Sequence, residues 1–81
     1  MWFLYQEQYD KTRSNIVSRR RIPLAFSLLS SAIRWHDGIF PYMPINPHTL
    51  SSDVDPIDFT RYTCVRAPQP RITKNKNVPD P

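Results

Sequence analysis

The apolar positions of the first half fall into two blocks that read as helices. Trp2, Tyr5 and Tyr9 recur at i, i+3 and i+7, which puts them on one face of a helix predicted over about residues 2–13. Glu7 and Lys11 would then pair at i, i+4 in the favourable order, which is worth roughly a few tenths of a kcal/mol. The second block is clearer. Ser27, Ser30, Ser31 and Arg34 form a polar stripe at helical spacing, and Ala25, Phe26, Leu28, Leu29, Ala32, Ile33 and Trp35 fill the remaining arc. Pro23 suits a first helical position, and Gly38 suits the left-handed residue that closes a helix. The pattern predicts a helix over about 24–36. Its apolar arc is wider than the stripe on the first helix can cover. Phe26, Leu29, Ile33 and Trp35 are therefore expected to bind a partner.

After Gly38 the pattern changes. Pro41, Pro44 and Pro47 repeat every third residue, the period of polyproline II, with Tyr42 and Ile45 along another edge. No arginine stands at the offset a signalling ligand would need. The segment reads as a stiff strap lying on a neighbouring surface through Pro41, Tyr42, Pro44 and Pro47. Asp55-Pro56-Ile57-Asp58 resembles a helix start, predicting a turn or two of helix to about Tyr62. Tyr62 to Val65 would suit a short edge strand added to another structure. From Ala67 onward the chain reads as an extended basic tail. The fold expected is mostly α with extended irregular segments. Residues 1–38 form a helical anchor and residues 39–81 a proline-rich extended segment, with no autonomous globular core. Alone, such a chain should show no cooperative thermal transition.

Composition sharpens this picture. Nine prolines stand against one glycine in 81 residues. So few glycines make compact hairpin folds and glycine-cradled phosphate sites poor candidates. Cys64 is the sole cysteine, so no intrachain disulfide can form and an intracellular, reducing setting is expected. The longest apolar run, Ile22 to Ile33, is too short to span a bilayer, which leaves peripheral membrane contact at most. The net charge of +4 is arranged in blocks. Lys11 to His36 contains six basic residues and no acid, whereas Asp37 to Asp58 contains four acids and no Lys or Arg. Alternating blocks suit a chain that meets different surfaces along its length.

Candidate chemistry is sparse. Cys64, His36 and His48 could pair as nucleophile and base only if the fold joined them, and a chain this small offers little room for a preorganised pocket. No enzyme activity, metal or cofactor is expected. Asp53, Asp55 and Asp58 lack the central Gly and final Glu of a calcium loop. Arg19, Arg20 and Arg21, with Arg66, Arg71, Lys74 and Lys76, are the candidate contacts to an anionic surface. The acid-free, Ser- and Arg-rich stretch also has the chemistry of a mitochondrial presequence, though displaced from the N-terminus. The function expected is a non-catalytic structural accessory subunit of a large multi-protein assembly, with a mitochondrial energy-transducing complex as the leading setting. The alternatives are a small ribosomal protein contacting RNA through its basic segments, and a filament-lining protein inside a ciliary microtubule.

Overall fold

A computed structural model describes residues 1–67. It holds three strands and one helix: β1 (Trp2–Tyr9), β2 (Ile16–Phe26), α1 (Leu29–Ile39) and β3 (Thr60–Arg66). The strands form one antiparallel sheet in the order β2-β1-β3. The expected mostly helical fold is therefore overturned. Residues 2–13 are a strand and half a hairpin loop, and the helix expected over 24–36 begins only at Leu29.

The reason lies in the period. Trp2, Phe3, Leu4, Tyr5 and Tyr9 are aromatic or branched residues that suit a pleated surface. Read at period two, Leu4 and Glu7 are the buried residues of β1 and point to opposite faces. Pro23 sits inside β2 rather than opening a helix. Phe3 pairs with Ala25 and Tyr5 with Arg21, so Ile22, Pro23 and Leu24 bulge opposite Leu4 alone. An irregularity on an edge strand is where a residue without an N–H is tolerated.

Scarce glycine did not prevent a hairpin. The β1–β2 loop closes through the Asp10 carboxylate, which accepts from Thr12 Oγ1 (2.7 Å), Ser14 N–H (3.1 Å) and Asn15 Nδ2 (3.1 Å). Arg13 takes the left-handed conformation there at φ 59°, as Leu50 (57°) and Phe59 (58°) do in later turns. Non-glycine residues pay a steric cost for that region, and the local hydrogen bonds offset it. Gly38 does not close the helix; it lies within α1, and Phe40 caps its end by donating to the His36 carbonyl (2.8 Å).

The core forms where α1 and the following segment cover one face of the sheet. Leu4, Ala32, Met43, Ile45, Tyr62 and Cys64 are buried, with Phe26, Leu29, Ile33 and Trp35 packed around them. Tyr62 stacks on Phe40 at 4.5 Å between ring centroids and meets His36 edge-on at 4.8 Å. The expectation of a chain without its own core is corrected here: the arc of α1 has the sheet as its partner. The second half contributes Met43, Ile45, Tyr62 and Cys64 to that core, and it contains β3. The helix expected after Asp55 is a turn instead. Asp55 accepts from Ile57 N–H (2.7 Å), Phe59 N–H reaches the Asp55 carbonyl (3.0 Å), and β3 starts at Thr60. The segment at Tyr62–Val65 is indeed a strand, but it pairs with β1 of its own chain. Its outer side is met by residues 50–52, where Ser52 Oγ accepts from Tyr62 N–H at 2.9 Å.

Candidate functional site

With α1 on one face, the sheet leaves its other face open. Alternation along β1 sends Phe3, Tyr5, Glu7 and Tyr9 there. The register sets Glu7 between Arg19 of β2 and Arg61 of β3, and Tyr5 between Arg21 and Thr63. Each arginine then reaches diagonally to a ring one pleat away. The Arg19 guanidinium lies 4.0 Å from the Tyr5 ring centroid, Arg21 4.7 Å from Phe3, and Arg61 5.7 Å from Tyr9. Such diagonal neighbours are within reach of long side chains in an antiparallel pair.

Glu7 is the hub of this lattice and is 6% exposed. Its carboxylate meets Arg19 Nε at 3.3 Å and Arg61 Nε at 3.6 Å. It also accepts from Tyr9 Oη (3.0 Å) and Thr63 Oγ1 (3.3 Å). A buried charge requires this many partners. Burial, and then the bond to Glu7, push the Tyr9 phenol upward, so it stays a donor at neutral pH. One carboxylate thus stands between two guanidiniums, with the Arg21 guanidinium further along the same face, and the face carries net positive charge. The Arg21 side chain makes no hydrogen bond or ion pair among the described residues. A guanidinium laid on a ring keeps its in-plane N–H groups available for a phosphate fork.

The structure separates the sequence-predicted site residues. Arg19 and Arg21 share the open face, while Arg20 alternates to the other side and donates to Gln6 Oε1 at 3.0 Å. Arg66 pairs across from Trp2 at the far end of β3. Arg71, Lys74 and Lys76 lie outside the described residues. Phe26, Leu29, Ile33 and Trp35 pack around the core, with Phe26 and Trp35 in ring contact at 6.0 Å. Pro41, Tyr42, Pro44 and Pro47 are exposed, while Met43 and Ile45 between them point inward. Phe3, Glu7 and Thr63 are not singled out by the sequence as site residues, whereas Arg61 opens the basic stretch to Lys76 that the sequence offers as phosphate contacts. Period-two alternation in residues 2–9 was the available signal.

Cys64 and His36 are both buried. Burial pushes the Cys64 thiol up to about 11, the opposite of the depression a reactive thiolate needs. His36 is fully buried, its Nδ1 sits 3.0 Å from Asp37 Oδ1, and its Nε2 has no partner among the described residues. Among those residues no three His, Cys, Asp or Glu side chains gather as a metal site. No helix there is long and apolar enough to cross a membrane. No protein-family model, curated protein or solved structure matches this chain.

Proposed function

We propose that this protein is a non-catalytic domain that binds single-stranded nucleic acid on the open face of its sheet. One observation carries the reading: Arg19, Arg21 and Arg61 each lie over an aromatic ring of β1, on the face whose one carboxylate, Glu7, pairs with Arg19 and Arg61. Phosphates would meet the guanidiniums, and unstacked bases would meet the faces of Phe3, Tyr5 and Tyr9. Single strands fit better than duplex because the open face offers rings to exposed bases and no helix to a groove. The expectation of a structural accessory subunit drew on an apolar arc without a partner. That arc packs on the sheet, so it no longer favours a protein assembly over nucleic acid.

The test is fluorescence anisotropy of labelled 12-nucleotide single strands, titrated with the full chain at several salt concentrations. Three phosphate contacts predict a log–log salt slope near −2, from ~0.7 per contact on single strands. Arg21→Gln removes a guanidinium that lies on the Phe3 ring and has no side-chain hydrogen bond or ion pair among the described residues, and it should flatten the slope by about 0.7. A matched duplex should bind more weakly. Absence of binding at low salt, or a slope indifferent to Arg21→Gln, refutes the proposal.

A further inference from the structure

A second surface, sharing no residue with the open sheet face, lies between the proline strap after α1 and the turn before β3. It is a cleft of about 400 Å³ walled by Tyr42 and Pro44 on one side and by Val54, Pro56 and Ile57 on the other. That size accommodates a side chain or short peptide segment. Ile57 is 87% exposed and Tyr42 68%, the two most exposed large apolar residues described.

Their exposure is held in place. Asp55 fixes the turn by accepting from Ile57 N–H, while Asp55 N–H donates to the Thr60 carbonyl (2.9 Å) and Thr60 N–H donates to Asp58 Oδ1 (3.1 Å). On the opposite wall Ile45 N–H donates to Asp37 Oδ1 (3.0 Å), and the Met43 and Ile45 side chains are locked in the core. Three prolines stiffen the strap. Walls ordered in advance lose little entropy on binding.

Charge identifies the occupant. The charged residues lining the cleft are Asp53 and Asp55, with no Lys or Arg among them. The Asp53 carboxylate is exposed and has no hydrogen-bond or ion-pair partner among the described residues. We propose that the cleft docks a short extended segment of a partner protein. One apolar side chain of that segment seats between Tyr42 and Ile57, and an adjacent Lys or Arg reaches Asp53. The two surfaces would then let one small domain join a nucleic acid to a basic protein segment.

The experiment is a titration of the isotope-labelled full chain, followed by NMR, with three synthetic octapeptides. One has a Pro-Leu-Lys-Arg centre, one replaces Lys and Arg with Glu, and one replaces Leu with Ser. Saturable shifts at residues 42–44 and 53–57 are expected with the first alone. Ile57→Ser should weaken its binding about tenfold, from the lost apolar burial. Asp53→Asn should weaken it two- to fivefold, roughly the range of exposed ion pairs. Both residues are exposed, so both variants should keep the wild-type spectrum elsewhere. Equal binding of the acidic peptide, no cleft shifts at millimolar peptide, or cleft shifts that follow protein dilution alone (a second copy as occupant) each overturn the proposal.

Discussion

Replacing Glu7 with Gln separates what stabilises this sheet from what it is proposed to bind. Glu7→Gln keeps the shape and an oxygen that can accept from Tyr9 and Thr63, but deletes the charge facing Arg19 and Arg61. Breaking a fully buried ion pair costs ~3–5 kcal/mol, and an exposed one ~0–1. Here the carboxylate side chain is 8% exposed, while the arginines are 45% and 34% exposed and can turn to water. Solvent screening brings the expected loss to about 1–2 kcal/mol, or roughly 4–16 °C in Tm for a domain this small. Binding should move the other way. Removing the one acid of the face raises its charge by one, and at ~0.7 logarithmic units per charge this tightens single-strand binding roughly fivefold near 0.1 M salt. The assays are thermal unfolding by circular dichroism and anisotropy at 10 °C, where the variant stays folded. A variant that is less stable and binds no more tightly would refute the electrostatic account of the face.

Two further outcomes check the architecture. Cys64, buried under α1 with its thiol pushed up to about 11, should resist a thiol reagent at pH 8 in the native protein and react on unfolding; rapid native labelling would contradict the packing of β3 against the core. Asp10 is lowered from 3.8 to about 2, chiefly by the Thr12 and then the Asn15 side-chain hydrogen bonds. Because its folded value lies below its unfolded one, its contribution is complete above about pH 4 and is lost as pH falls toward 2. The Tm difference between wild type and Asp10→Ala should therefore shrink over that window, and a constant difference would show that the carboxylate does not close the hairpin.

Two parts of the fold are legible in the sequence: the short edge strand at Tyr62–Val65, which lies inside β3, and the apolar arc of α1, whose start lies five residues later than the spacing predicts. Pro23 and the serine stripe both fit a helix locally, and only pairing with β1 decides that 16–26 is a strand. The same competition misread β1. Trp2, Tyr5 and Tyr9 satisfy a helical spacing, but Leu4, Cys64 and Tyr62 supply a buried sheet face that a lone helix could not match. Tertiary burial outweighed a period seen in three residues. The prolines misled in a different way. They stiffen exposed loop positions while Met43 and Ile45, between them, enter the core, so a proline-rich stretch was compatible with a packed domain.

The open face was half legible. Arg19, Arg20 and Arg21 stand out as a run, but a strand sends alternate residues to opposite faces, so the run divides. Arg19 and Arg21 join the rings, and Arg20 turns to Gln6. Arg61 belongs to the same lattice from forty residues away, through the pairing of both Arg19 and Arg61 with Glu7. No spacing rule reveals that meeting, because it depends on the register of two strand pairs at once. Glu7 explains why the meeting is stable. Without a carboxylate at the centre, guanidiniums drawn to neighbouring rings would repel one another across a single strand. With it, the sheet carries a basic, ring-bearing surface whose charge is only partly neutralised, and the residue that holds the arginines in place also limits how strongly they attract an anion.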